Sequence, residues 1–232
     1  MNNITNLDED SVTPNIRNNY TVTDKADGQR KMMYIGDNGK IYLIDTNLNV
    51  QYTGCTVKTK ADFAGTLIDG EHILHDKEGN FINLYAAFDI YYRNKESVRD
   101  KIFVSSDAEE LKENQRLHIL INTINNLDIK EKNGYVPMTF EYKRFYMEGN
   151  ESSIFDGCKL IMDRIKDGLI KYNTDGLIFT PAEFGVGGSS KGNASALKKI
   201  TWDHSFKWKP PEFNTIDFLV VTKKGSNNQD DI

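Results

Sequence analysis

Lys25 stands in the run Thr23-Asp24-Lys25-Ala26-Asp27-Gly28-Gln29-Arg30, two residues before an Asp-Gly turn and just after a short apolar-alternating segment. An amine attacks an electrophile only after losing its proton, so a nucleophilic lysine needs neighbouring cations or desolvation. Four further groups of chemistry-bearing residues follow. Asp69-Gly70-Glu71 places a carboxylate on a strand-like segment, and Phe88-Asp89 puts an aromatic on another. Asp175-Gly176 supplies a second carboxylate beside the apolar Leu177-Ile178-Phe179. Lys207-Trp208-Lys209 presents two lysines on one face of a strand, because strand side chains alternate. Two ammonium groups so placed repel each other unless an anion lies between them. Each group alone has an ordinary reading, such as a solvated lysine at a turn, a Phe in a core or a Glu closing a hairpin. Their succession along one chain is the informative feature.

The segments around these residues read mostly as strands. Lys31 to Ile35, an Asp37-Asn38-Gly39 turn and Lys40 to Ile44 form a hairpin signal. Thr66 to Leu74 is a strand that can pair with Asn80 to Tyr92 across a turn at Asp76–Gly79. Leu177-Ile178-Phe179 reads as a buried strand and Phe206 to Lys209 as an alternating one, with Trp208 turned away from the lysines into the core. Two helices are expected. Ser106 to Leu127 carries Leu117, Leu120, Ile121, Ile124 and Leu127 at helical spacing, and Ser152 to Leu169 carries Ile154, Cys158, Ile161, Met162, Ile165 and Leu169. The glycine-rich run Gly185 to Gly192 lacks the Gly-Lys-Ser/Thr ending of a phosphate loop and reads as a flexible linker between strands.

With 232 residues the chain is long enough for one large domain or two small ones. Its 38% hydrophobic and 27% charged residues are ordinary for a soluble globular protein, and no apolar run approaches the ~20 residues of a bilayer span. The N-terminus lacks a signal-peptide pattern, and Cys55 and Cys158 form neither a disulfide framework nor a metal motif. A nuclear or cytoplasmic, non-secreted protein is the expectation. A net charge of −5 argues against general nucleic-acid binding, although basic residues gather at Lys198-Lys199, Lys207, Lys209 and Lys223-Lys224, where a nucleotide or an RNA 5′ end can be held. His72 and His75, three apart on a strand-like segment, point to opposite faces and do not make a metal pair.

Taken in order, the five groups resemble the motifs of the covalent nucleotidyltransferases, a superfamily of mRNA capping guanylyltransferases and ATP- or NAD-dependent polynucleotide ligases. Lys25-Ala26-Asp27-Gly28-Gln29-Arg30 is similar to the nucleophile motif, and the resemblance runs from about Thr21 to Val221. The spelling Thr174-Asp175-Gly176-Leu177-Ile178-Phe179, with Asp where ligases usually show Glu, favours capping, as does Phe206-Lys207-Trp208-Lys209-Pro210-Pro211. The following Asn214-Thr215-Ile216-Asp217-Phe218 resembles the run into the first OB strand of capping enzymes, especially those of large DNA viruses, which implies a cytoplasmic viral factory or the nucleus as setting.

The resemblance implies an α+β fold with twisted antiparallel sheets, flanking helices and a nucleotide cleft between the sheets. It implies that GMP passes from GTP to Lys25 and then to the 5′-diphosphate end of RNA. Asp27, Gly28, Arg30, Glu71, Phe88, Asp175, Lys207 and Lys209 would bind the nucleotide: Arg30 near ribose and phosphate, Phe88 stacked on the purine, Lys207 and Lys209 on phosphate. Glu71 and Asp175 would also serve Mg²⁺ or Mn²⁺. The expected organisation is a lead-in at 1–19, the nucleotidyltransferase domain at 20–213, and at 214–232 the start of an OB-fold domain and a polar tail. The closing OB motif has no counterpart, which suggests an excised domain of a longer capping enzyme. Two alternatives are an ATP-dependent ligase forming lysyl-AMP and a catalytically idle nucleotide- or RNA-binding module.

Overall fold

The computed structural model describes residues 15–107, 109–149, 152–196 and 202–213, together with a short ladder pairing Lys223–Lys224 with Asp230–Asp231. The expected OB strand at 215–221, Lys198-Lys199, and most of both the lead-in and the tail lie outside the described residues. Along the chain run β1 (Tyr20–Ala26), β2 (Gln29–Ile35), β3 (Lys40–Ile44), β4 (Val50–Val57), α1 (Lys60–Phe63), β5 (Thr66–His75), β6 (Phe81–Arg93) and β7 (Glu96–Ser97). There follow α2 (Arg116–Asn125), β8 (Ile129–Glu131), β9 (Thr139–Tyr142), β10 (Tyr146–Met147), α3 (Ile154–Lys166), β11 (Thr174–Pro181) and β12 (Phe206–Trp208).

Two sheets result. The smaller has the order β10-β1-β11-β12, and the larger runs β7-β6-β5-β2-β3-β4-β8 with β9 joined to β6. All their pairings are antiparallel except β9 on β6, where Leu84 to Ala87 run parallel to Thr139 to Tyr142. The fold is thus α+β with mostly antiparallel sheets and few helices. Both expected hairpins form, with Tyr34 opposite Tyr42 and Ile73 opposite Leu84.

Each sheet buries one face under a helix. Met33, Ile35, Ile41, Leu43, Ile68, Tyr85 and Ile90 pack against Leu120 and Ile124 of α2. Tyr20, Val22, Leu177 and Phe179 pack against Ile154 and Ile161 of α3. The lead-in is not loose to its end, since Asn15 and Ile16 are buried and Ile16 joins this second core.

The helices are shorter than their apolar spacing suggests. α3 starts after Ser153, whose backbone N–H and hydroxyl both donate to the Asp156 carboxylate (2.7 and 2.8 Å) in a capping box. α2 begins only at Arg116, because the polar stretch before it is drawn into turns: the Gln115 side chain accepts from Ser105 N–H (3.1 Å) and donates to Glu110 O (3.1 Å). Arg116 is fully buried and grips Asp89 of β6 through two hydrogen bonds of 2.8 and 3.1 Å. That pair fastens α2 to the large sheet.

Two other expectations change. The glycine-rich run is a pinned loop, with Gly188 O accepting from the Trp202 indole (2.8 Å) and Lys191 paired to Glu183 (2.9 Å). Trp208 does face away from the lysines but is 37% exposed, so it borders the α3 core rather than filling it. Among the described residues no helix is long and apolar enough to cross a membrane.

Candidate active site

Lys25 lies where β1 and β11 lose their regular register. Asp24 pairs with Leu177 and Ala26 with Thr174, so Lys25 alone faces the two residues Asp175 and Gly176. An extra residue of this kind bends a strand and re-aims side chains. Here it directs the Asp175 carboxylate onto Lys25, whose Nζ donates to Oδ1 at 2.5 Å, while Lys209 Nζ donates to Oδ2 at 2.7 Å. Gly176 is required at this spot. Its φ is +145°, and a Cβ would sit 1.9 Å from the Trp208 carbonyl oxygen of β12. Burial alone would push the Asp175 carboxyl up, but the hydrogen bonds from Lys209 and Lys25 outweigh it and hold the group below the usual carboxylate range.

Lys207 pairs with Ile178, which in turn pairs with Thr23, two residues from Lys25. Alternation therefore puts Lys207 on the sheet face that carries Lys25, where it is exposed.

The Asp27-Gly28 turn carries the chain from the small sheet into the large one. Asp27 is exposed and its N–H donates to Asn173 O (2.8 Å). Gly28 passes so close to β5 that a Cβ would lie 2.7 Å from Glu71 Cγ and 2.9 Å from His72 O. On β2, Arg30 stands directly opposite Glu71. Its guanidinium holds Asp69 in a fork, Nε to Oδ1 at 3.0 Å and Nη2 to Oδ2 at 2.6 Å, and the Tyr91 hydroxyl donates to the same carboxylate (2.7 Å). Asp69 is fully buried, so it fixes the Arg30 head from below. Burial pushes the Glu71 carboxyl up, opposed by the charges of Lys143 and Lys25. Lys25 on one sheet and Glu71 on the other therefore feel each other across the junction of the sheets.

Phe88 is the extra residue of a second irregularity. Asp69 pairs with Asp89 and Gly70 with Ala87, leaving Phe88 without a cross-strand partner. It is half-buried and belongs to none of the packed core clusters among the described residues.

Several residues beside the site were not singled out by sequence. Asp24, next to the nucleophile candidate, is buried and held by Lys143 Nζ (3.1 Å) and by the Tyr172 hydroxyl (3.1 Å), while Lys143 also donates to the Asp24 carbonyl. These three groups line a cavity of about 140 Å³ between β9 and the end of α3. Lys143 occupies one place in the alternating run Thr139 to Arg144, and nothing in the run distinguishes a buried lysine from a solvated one. His72 is a structural residue, bonded to Lys31 Nζ (3.0 Å) and Asn83 Oδ1 (2.9 Å), with burial lowering its pKa.

Among the described residues no three His, Cys, Asp or Glu side chains cluster as a ready-made metal site. Glu71 and Asp175 offer hard carboxylate oxygens, a donor set suited to Mg²⁺ or Mn²⁺ when substrate phosphates and water complete the shell. Both Asp175 oxygens are engaged by ammonium groups, and one would have to be released.

A probable mRNA-capping enzyme of Acanthamoeba polyphaga mimivirus is 27% identical over 98% of this chain and 21% of its own length. The Caenorhabditis elegans mRNA-capping enzyme is 26% identical over 88% of this chain and 30% of its length. The capping enzyme subunit alpha of Schizosaccharomyces pombe is 25% identical over 92% of this chain and 51% of its length. The chain thus spans between about a fifth and a half of these relatives. The ligase domain of M. tuberculosis LigD aligns with a TM-score of 0.46 at 12% identity, over 82% of this chain and 53% of that one. The lysine, the carboxylates and the paired cations all fall within residues 6–211, the stretch that matches the mRNA capping enzyme catalytic domain, and the chain belongs to that family of nucleotidyltransferases.

Proposed function

We propose that this chain transfers GMP from GTP, through Lys25, to the 5′-diphosphate end of RNA. The observation that carries the reading is the bridge Lys25–Asp175–Lys209, which sets an amine and a second cation on either side of one carboxylate (2.5 and 2.7 Å) in a partly sheltered cleft. In the first step the Lys25 nitrogen, having given up a proton to solvent, attacks the α-phosphorus. The N–P bond forms, the bond to the β-phosphate oxygen breaks, and pyrophosphate leaves. In the second step an oxygen of the RNA diphosphate attacks the same phosphorus and Lys25 departs.

Phosphoryl-type transfer gains most from positioning and charge neutralisation. Lys209 and the exposed Lys207 supply positive charge for the phosphates on the face that holds Lys25. Arg30, its fork already filled by Asp69, presents an oriented cationic edge on the neighbouring sheet, and Glu71 opposite it faces the ribose. Phe88, left unpaired on its strand, is available to stack on the purine. A divalent ion held by Glu71 and Asp175 together with phosphate oxygens would add charge neutralisation at the transferring group. Release of Asp175 from Lys25 is the change in this chain's own contacts that sets the amine free.

Mass spectrometry after incubation with GTP and Mg²⁺ or Mn²⁺ tests the proposal. One added GMP, mapped to Lys25 and absent with ATP, supports it. An AMP adduct from ATP points to ligation, and no adduct from either nucleotide points to an idle binding module.

A further inference from the structure

The large sheet carries a row of tyrosines that the nucleotide site does not use. Tyr34 of β2 stands opposite Tyr42 of β3, which stands opposite Tyr52 of β4. The Tyr42 and Tyr52 ring centroids are 5.6 Å apart, and Tyr135, from the loop after β8, comes within 5.3 Å of Tyr52 edge-on. The row lies on the face opposite α2, because the alternate residues Met33, Ile35, Ile41 and Leu43 fill the α2 core. Tyr34, Tyr42 and Tyr52 are half-buried and Tyr135 is 45% exposed.

Cations decorate this face. Lys40 Nζ sits 5.3 Å from the Tyr52 ring centroid and Lys132 Nζ 5.6 Å from that of Tyr135. In the adjoining row Lys40 pairs with Thr56 and Thr56 with the exposed Lys130. The Thr56 hydroxyl meets the Tyr52 hydroxyl at 3.2 Å, which fixes both on the same side. Glu131, between the two lysines in sequence, pairs with buried Cys55 and so belongs to the other side of the strand. The face is also continuous with the site: Arg30 and Tyr34 are four residues apart on β2 and share it, a separation of about 13 Å along the strand.

We infer that this tyrosine row is a platform for single-stranded RNA, holding the first nucleotides behind the 5′ end that accepts GMP. Aromatic faces stack on bases whatever their identity, and lysines between them follow the phosphates, which suits an enzyme that must accept transcripts of any sequence. The lysines explain why a chain with net charge −5 can still hold a nucleic acid locally. The direction of the RNA follows from the chemistry, with the diphosphate at Arg30 and Lys25 and the chain leading out over the tyrosines. This inference rests on the proposed guanylyl transfer for the identity of the RNA end, but not for the platform itself.

The test measures, for the full chain, both RNA affinity and the rate of GMP-adduct formation. The probe is a fluorescent 5′-diphosphate oligouridylate of about ten nucleotides, read by anisotropy. Replacing Tyr52 and Tyr135 together by Leu should weaken binding by about tenfold or more, while the pair changed to Phe should bind like the parent. Adduct formation on Lys25 should be unchanged in both. The second pair, Lys130→Gln with Lys132→Gln, lies on exposed positions and should weaken binding and flatten its salt dependence. Unchanged affinity in the Leu and Gln pairs would overturn the inference, as would an equal loss in the Phe pair. So would a dimer that dissociates in the Leu pair with RNA affinity intact, since the face would then be covered by a second copy. If no variant or parent forms an adduct yet the Leu pair alone loses RNA affinity, the guanylyl-transfer reading falls and the platform stands.

Discussion

At the scale of single residues, the site is a set of charges that hold one another in place. Lys25→Ala should abolish the GMP adduct while leaving the melting temperature within a few degrees of the parent, because Asp175 keeps Lys209 as partner. An adduct that persists, mapped to Lys207 or Lys209, would show that the amine has been misassigned. Glu71 offers a different kind of check. Burial raises its carboxyl above the ordinary value of 4.5, so over the range from 4.5 to the raised value the folded chain binds more protons than the unfolded one. Stability therefore falls as pH rises through that window. Glu71→Gln should remove this slope and raise the melting temperature at neutral pH, at the expense of nucleotide binding. Thermal melts of both proteins from acid to neutral pH measure it, and an unchanged slope would mean Glu71 is not the group responsible. The nine residues named from sequence were legible because each is spelled by a short motif. Asp24 and Asp69 lie inside two of those motifs, but Lys143, Tyr172 and Tyr91, which hold them, come from other segments of the chain, and only folding brings them together.

At the scale of elements, two of the irregularities in β pairing carry residues of the proposed site. Asp175-Gly176 on β11 and Phe88 on β6 are each an extra residue opposite a regular strand. Alternation of apolar residues finds a strand and its neighbours, as it found β2, β3, β5 and β6, but an inserted residue leaves the same apolar pattern on either side. The hidden irregularity has a measurable counterpart. Gly176→Ala should unseat β12 from β11, because the new methyl group overlaps the Trp208 carbonyl, and Lys209 would lose its seat on Asp175. GTP affinity should fall by more than tenfold in calorimetry, whereas unchanged affinity would show that β12 does not deliver Lys209 to the site. The helix at α2 was legible from its apolar spacing but not its start, since its first residue is a buried arginine rather than a cap. Removing that guanidinium as Arg116→Met leaves Asp89 buried and unpaired, a loss of about 3–5 kcal/mol. Urea unfolding measures it, and a loss below about 1 kcal/mol would mean that water reaches Asp89.

At the scale of the whole molecule, two sheets meet at the Asp27-Gly28 turn and share the residues of the proposed site: the small sheet carries Lys25, Asp175 and Lys209, the large one Arg30, Glu71 and Phe88. A nucleotide that touches both sheets ties them together, so GTP should protect the chain against heat more than ATP at equal concentration, by ligand linkage. Equal protection would place the choice of base outside this chain. The division also explains why the overall architecture could be foreseen from a family likeness while the parallel attachment of β9 to β6 could not, since strand direction leaves no mark in an alternating pattern. In the proposed reaction the carboxylate on Lys25 would also govern the protein between turnovers. With Asp175 clasping it, the waiting amine is shielded from stray electrophiles, whereas Lys207 on the same face is exposed and lacks that clasp. Brief treatment with an acetylating reagent should therefore mark Lys207 well before Lys25, and Asp175→Asn should narrow the gap. Selectivity for a phosphoanhydride would then begin with inertness, the enzyme refusing every acyl donor that cannot first draw the carboxylate away from the ammonium.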